Sequence, residues 1–265
     1  MKKIVVILCI LVVYSGMAQE KDFVLGKIET IHSVVLNENR TLNIYLPEGY
    51  NANESYPVIY LLDGSADEDF IHIAGLVQFA NFEWVNLLPK SILVGISNID
   101  RKRDFTFPTT VEADKKDFPT TGSSAKFISF IEKELQPFIS KKYKTTESKT
   151  IIGQSLGGLL ATEILYKKPD LFSQYVIISP SLWWDNESLL QMAPKFMEAH
   201  FKQKTKVFIG VGKEGEVMEK DAGKLFAIVS QKKELMVSHF NFFEDKNHAT
   251  IFHNAVYKAF ESFAN

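Results

Sequence analysis

Ile151-Ile152-Gly153-Gln154-Ser155-Leu156-Gly157-Gly158 is the stretch on which the reading of this chain turns. A β-branched apolar run ends in Gly-x-Ser-x-Gly and passes into a helical pattern from Leu159 to Lys168. This is the form of a nucleophile elbow, a sharp strand-to-helix turn with the serine at its tip. Gly153 and Gly157 remove the Cβ atoms that would collide as the backbone reverses. The helix that follows aims backbone N–H groups at any oxyanion forming beside Ser155.

Outward from the elbow, short apolar runs alternate with helical patterns. Residues 58–62, 92–96, 150–152, 175–179 and 207–211 are continuous apolar runs, as strands covered on both faces are. Residues 237–243 alternate more, like a strand nearer an edge. Residues 27–36 and 40–46 are β-rich with Asn37-Glu38-Asn39 between them, which predicts an antiparallel hairpin. Phe127, Ile131, Leu135 and Phe138 recur at helical spacing, with Pro137 expected to kink the end. Phe252, Val256, Ala259, Phe260 and Phe263 form the apolar stripe of a last helix. The pattern predicts an α/β fold: a mostly parallel central sheet, an N-terminal antiparallel hairpin, and helices on both faces. Residues 101–123 read as a long polar and aromatic loop, in which Arg101 and Arg103 are candidates to meet an anionic substrate, with an ion pair to Asp104 the favoured reading.

The first residues have the form of an export signal. Lys2 and Lys3 precede an apolar run over residues 4–14, and Gly16-Met17-Ala18 supplies small residues for cleavage after Ala18. Residues 1–18 are therefore expected to be a signal peptide and residues 19–265 a single domain, in the periplasm or outside the cell. The run is too short to span a bilayer comfortably, so no stable membrane insertion is expected after cleavage. Cys9, the only cysteine, lies inside the signal, so the mature chain is expected to carry no disulfide. The 265 residues are 46% hydrophobic with a formal net charge of −2, enough for a filled core and without the basic balance of a nucleic-acid binder.

A serine hydroxyl needs a base within reach and a group that orients the base. Among the six histidines, His32, His72, His200, His239 and His253 read as structural or surface residues. His248 lies in the polar loop Glu244-Asp245-Lys246-Asn247-His248-Ala249, after the last strand and before the last helix. That is where the base of a Ser…acid…His order belongs. The acid is expected after the strand at 207–211, where Glu214, Glu216, Glu219 and Asp221 follow; Glu214 is the first choice and Glu216 the next. An oxyanion hole is expected from the backbone N–H of Leu156 and from the Asp63-Gly64-Ser65 loop, with the Ser65 amide favoured and Gly64 as the alternative. Gly64 also allows close approach of the substrate. Ser179-Pro180-Ser181-Leu182-Trp183-Trp184-Asp185 follows another strand end, where Trp184 either lines a substrate pocket or caps the core.

The chain resembles the putative-esterase family of the α/β-hydrolase superfamily. That family includes enterobactin-type siderophore esterases, feruloyl and acetyl-xylan esterases, S-formylglutathione hydrolase and the mycolyltransferases. The resemblance rests on Tyr60-Leu61-Leu62-Asp63-Gly64, the elbow, Ser179-Pro180-Ser181-Leu182-Trp183-Trp184 and Asn247-His248, in the family's order. It implies a nucleophile at Ser155 and a base at His248. It leaves open a reduced Ser–His pair, which members of the siderophore branch use. The expected activity is that of an exported serine esterase acting through an acyl-enzyme without metal or cofactor. Its expected substrates are siderophore-type or other aromatic-acyl esters. A carbohydrate acetyl or feruloyl esterase and a non-catalytic binding protein on the same scaffold are the alternatives.

Overall fold

The computed structural model describes residues 20–197 and 204–264. The expected signal peptide, Cys9 and His200 lie outside the described residues. Eight strands form one sheet: β1 (Lys27–Ser33), β2 (Glu38–Tyr45), β3 (Tyr56–Leu61), β4 (Ile92–Ile96), β5 (Thr145–Gln154), β6 (Gln174–Ile178), β7 (Thr205–Gly212) and β8 (Met236–Phe243). Their order across the sheet is β1-β2-β4-β3-β5-β6-β7-β8. β1 pairs antiparallel with β2, and β2 with β4. Every other neighbour pair is parallel. The hairpin and the parallel sheet thus stand as the sequence pattern predicts, with β8 at the edge.

The helices are α1 (Phe70–Ala80), α2 (Arg101–Phe105), α3 (Glu112–Asp117), α4 (Ser124–Phe130), α5 (Gln136–Lys142), α6 (Leu156–Lys167), α7 (Trp184–Gln191), α8 (Glu216–Val229) and α9 (Phe252–Ala264). Alternation along the strands divides the core. Ile59, Leu61, Ile152, Val176 and Phe208 face α1 and α9. Val58, Tyr60, Ile151, Tyr175, Ile177 and Val207 belong to the cluster on the opposite face, with residues of α4 and α6. Both faces of the strands are buried, which is why their sequences are apolar without interruption.

Two local readings change. Residues 101–123 hold the short helices α2 and α3, which the polar composition concealed. The helix through Pro137 runs on to Lys142: α4 passes through a π turn at Ile131–Leu135 into α5, which carries Pro137 in its first turn. A proline has no N–H to give the turn before it, and the wider turn absorbs that loss without ending the helix. Among the described residues no helix is long and apolar enough to cross a membrane.

Parallel strands end on one side of the sheet. Five segments therefore converge there: the one after β3, the elbow after β5, the Ser-Pro-Ser segment after β6, and the loops after β7 and β8.

Candidate active site

Ser155 stands between β5 and α6 with φ 58° and ψ −120°, a conformation that costs a non-glycine residue about 1–3 kcal/mol. The turn is held on both sides. Ser155 N–H donates to Ile178 C=O at 3.0 Å, and Ser155 C=O accepts from Leu159 N–H at 2.9 Å and from Ser181 N–H at 3.1 Å. The close approach explains Gly153: a Cβ there would lie 2.4 Å from the Gly157 carbonyl oxygen. Leu156 opens α6, and its N–H, as the first of the helix, has no intrahelical acceptor.

His248 and Glu214 meet. Nδ1 of His248 lies 2.6 Å from Oε2 of Glu214. The carboxylate is 2% exposed while the imidazole is 47% exposed. The other oxygen of Glu214 accepts from Ser179 Oγ at 2.5 Å and from Gly212 N–H at 2.9 Å. Burial by itself would raise the Glu214 carboxyl. Hydrogen bonds from His248, Ser179 and Gly212 outweigh it and hold the group below the usual carboxylate range. An ionised carboxylate only accepts, so the Nδ1 facing it is the protonated nitrogen, and in the neutral form of the ring Nε2 is the one with the lone pair.

The competing carboxylates are otherwise engaged. Glu219 accepts from Glu214 N–H and Gly215 N–H at the start of α8. Asp221 pairs with Lys224 at 2.9 Å. Glu216 is the exposed first residue of α8.

The base loop is tied to the elbow by Gln154, whose side-chain amide donates to the His248 carbonyl at 2.5 Å. Ser155 and His248 share a cleft of about 420 Å³. Gln154, Arg101, Asp63, Asp69 and His253 also line it. In this arrangement Ser155 Oγ lies 3.3 Å from Ser181 Oγ. Arg101 donates to Asp63 through Nε at 2.7 Å and Nη2 at 2.9 Å, and to the Gln154 carbonyl at 3.2 Å. Arg103 pairs with Asp104 as expected, at 2.7 Å.

Of the two candidate amides after β3, Gly64 N–H is committed to the Ile96 carbonyl at 3.0 Å. Ser65 N–H makes no hydrogen bond among the described residues. Gly64 is buried, and its carbonyl accepts from Asn43 at 2.8 Å. A Cβ at Gly64 would lie 2.4 Å from Gly95 Cα. Gly64 therefore shapes the loop by packing on β4 and is absent from the cleft lining.

Trp184 is corrected as well. It is fully buried, with its indole N–H donating to the Phe107 carbonyl at 2.9 Å. It caps the core and is absent from the cleft lining. Sequence reasoning gave no role to Gln154 or Ser179, and it weighed Arg101 for an anionic substrate or an ion pair with Asp104, whereas Arg101 pairs with Asp63. His253, read as a structural or surface residue, lines the cleft. Among the described residues no three His, Cys, Asp or Glu side chains converge to hold a metal ion.

The sequence profile of the family described as putative esterase matches residues 33–260. The ferri-bacillibactin esterase BesA of Bacillus subtilis is 34% identical over 176 residues, 61% of this chain and 61% of the relative. The matched stretch thus spans less than two thirds of that protein's length. The solved structure of the BES protein from Bacillus cereus superposes with a TM-score of 0.82 at 28% identity, covering 94% of this chain and 97% of that one. An IroE-like serine hydrolase from Shewanella oneidensis gives 0.76 at 30% identity, covering 89% and 79%.

Proposed function

The chain belongs to the putative-esterase family, of the α/β-hydrolase type, and from that premise we propose that it is a serine esterase cleaving siderophore-type or other aromatic-acyl esters. The hydrogen bond from His248 to the buried Glu214, in the cleft that also holds Ser155, carries the reading. The ester specificity is supported by BesA, whose name describes a ferri-bacillibactin esterase.

In the proposed reaction Ser155 Oγ turns from Ser181 toward His248 Nε2, which takes its proton as Oγ bonds to the ester carbon. Hydrogen bonds at such sites tighten once substrate is bound. The carbonyl π electrons move to oxygen, and the Leu156 and Ser65 amides stabilise that oxyanion. Collapse expels the alkoxide, which takes the proton from His248. Water, deprotonated by the same imidazole, then attacks the acyl-enzyme and releases the acid. Glu214 keeps the imidazole in the tautomer that each transfer needs. Residues 1–18 are proposed as a cleaved export signal and residues 19–265 as one domain.

A fluorophosphonate probe and a tri-catecholate trilactone test the proposal together. The wild type should be labelled at Ser155 and open the trilactone. Ser155→Ala should be unlabelled and lose at least about 10⁴ in turnover. An unlabelled, inactive wild type would leave a binding protein on this scaffold. Labelling with acetate or ferulate release from decorated xylan, but no trilactone cleavage, would move the substrate to the carbohydrate class.

A further inference from the structure

The cleft holds a second imidazole–carboxylate pair, outside the proposed reaction. Asp69 occupies the N-cap position of α1, where an aspartate ordinarily caps the helix, yet it makes no side-chain cap hydrogen bond. Its Oδ1 instead meets His253 Nε2 on α9 at 3.2 Å. The His253 ring is fixed by stacking on His72 from α1, centroids 3.4 Å apart and planes 16° apart. Burial first, and then the neighbouring His72, hold His253 below the ordinary histidine range, so the ring is neutral at neutral pH. A carboxylate only accepts, so the single N–H of that neutral ring is Nε2–H and is spent on Asp69.

Asp69 Oδ2 makes no hydrogen bond among the described residues, and the side chain is about one third exposed. Glu68 lines the same cleft, and among the described residues its carboxylate is in hydrogen-bond reach only of Asn98, at 3.4 and 3.5 Å. This part of the cleft therefore offers acceptors. The one arginine there, Arg101, is already bidentate on Asp63. Anionic groups are repelled, and hydroxyl donors are matched.

Resting on the esterase reading above, we propose that Asp69, positioned by His253, is a specificity residue that accepts hydrogen bonds from hydroxyl groups on the ester substrate. The substrate class is an ester bearing neutral hydroxyls near the scissile bond. Two sources share that chemistry, a phenolic acyl group and a sugar alcohol, and the test separates them.

The measurement is kcat/KM for matched pairs on the full-length protein. One pair is 4-nitrophenyl 2,3-dihydroxybenzoate against 4-nitrophenyl benzoate. The other is a monoacetylated xylopyranoside against cyclohexyl acetate, followed by acetate release. Wild type should prefer the hydroxylated member of one pair by about tenfold to a hundredfold, as expected for a hydrogen bond to a charged group. The pair that shows the preference identifies the source. Asp69→Ala should bring that ratio to within about twofold of one. His253→Phe keeps the stack but frees Asp69, and should lower the ratio partway, through KM more than kcat. If Asp69→Ala does not fold, Asp69→Leu and the His253→Phe ratio decide. A wild-type ratio near one in both pairs, or a ratio unchanged in the variants, overturns the inference. Failure of the wild type on all four esters overturns instead the esterase reading beneath it.

Discussion

Two histidine–carboxylate pairs share one cleft and differ in what surrounds the carboxylate. Glu214 is almost entirely enclosed and takes hydrogen bonds from His248, Ser179 and Gly212. Its proton affinity falls, so it stays ionised and fixes the imidazole. Asp69 is a third exposed and has one hydrogen bond, from a ring that is itself neutral. Burial, with Asp63 and Glu68 nearby, raises its carboxyl above the ordinary value. The same two residue types thus make an orienting pair in one place and an acceptor surface in the other. The number of donors around the carboxylate decides which.

The largest expected difference is in turnover. Glu214→Gln should lower kcat/KM by about 10²- to 10⁴-fold, because a glutamine no longer enforces the Nδ1–H tautomer. On the same unhydroxylated ester, Asp69→Asn should cost at least tenfold less, by order of magnitude. Equal losses measured side by side would erase the distinction. A smaller effect is expected from Ser179→Ala, which removes one of the three donors and should cost about fivefold in kcat/KM, the worth of one hydrogen bond. No loss would mean that His248 and Gly212 suffice to hold the carboxylate.

The smallest effect is in stability, and there the two pairs have opposite signs. Glu214 is held below the ordinary glutamate value, so its contribution is present above that value and disappears as pH falls through the folded one. Asp69 is raised above 3.8, so the folded state binds a proton more readily than the unfolded chain and ionised Asp69 opposes folding at neutral pH. Thermal melts at pH 7 should show Glu214→Gln lowering Tm. Asp69→Asn should raise it, by no more than about 1 kcal/mol in stability. Melts repeated toward pH 4 should bring each variant closer to wild type. Shifts of the same sign would show that the two carboxylates are not set apart by their surroundings.

Much of this was legible in the sequence. The strand runs, the hairpin and the edge character of β8 follow from side-chain period and burial. Ser155 and His248 were found from motif and chain order. Glu214 was favoured, but Glu216 stayed open because loop spacing does not say which carboxylate turns inward. Trp184 stayed open because an indole at a strand end suits a pocket wall and a core cap equally; the Phe107 carbonyl decides it, 77 residues away. Gln154, Ser179, Asp69 and His253 carried no signal, since each acts through a partner contributed by another element.

The sequence by itself determined the elbow. Eight contiguous residues set a strand, a turn that only small neighbours permit, and a helix start, and such short-range sterics need no distant partner. Tertiary structure alone decided which carboxylate meets His248, 34 positions away, and that Asp69 meets His253 across 184 positions. Those contacts depend on where the parallel strands deliver their loops, and the protonation of each group depends on the burial and donors found there.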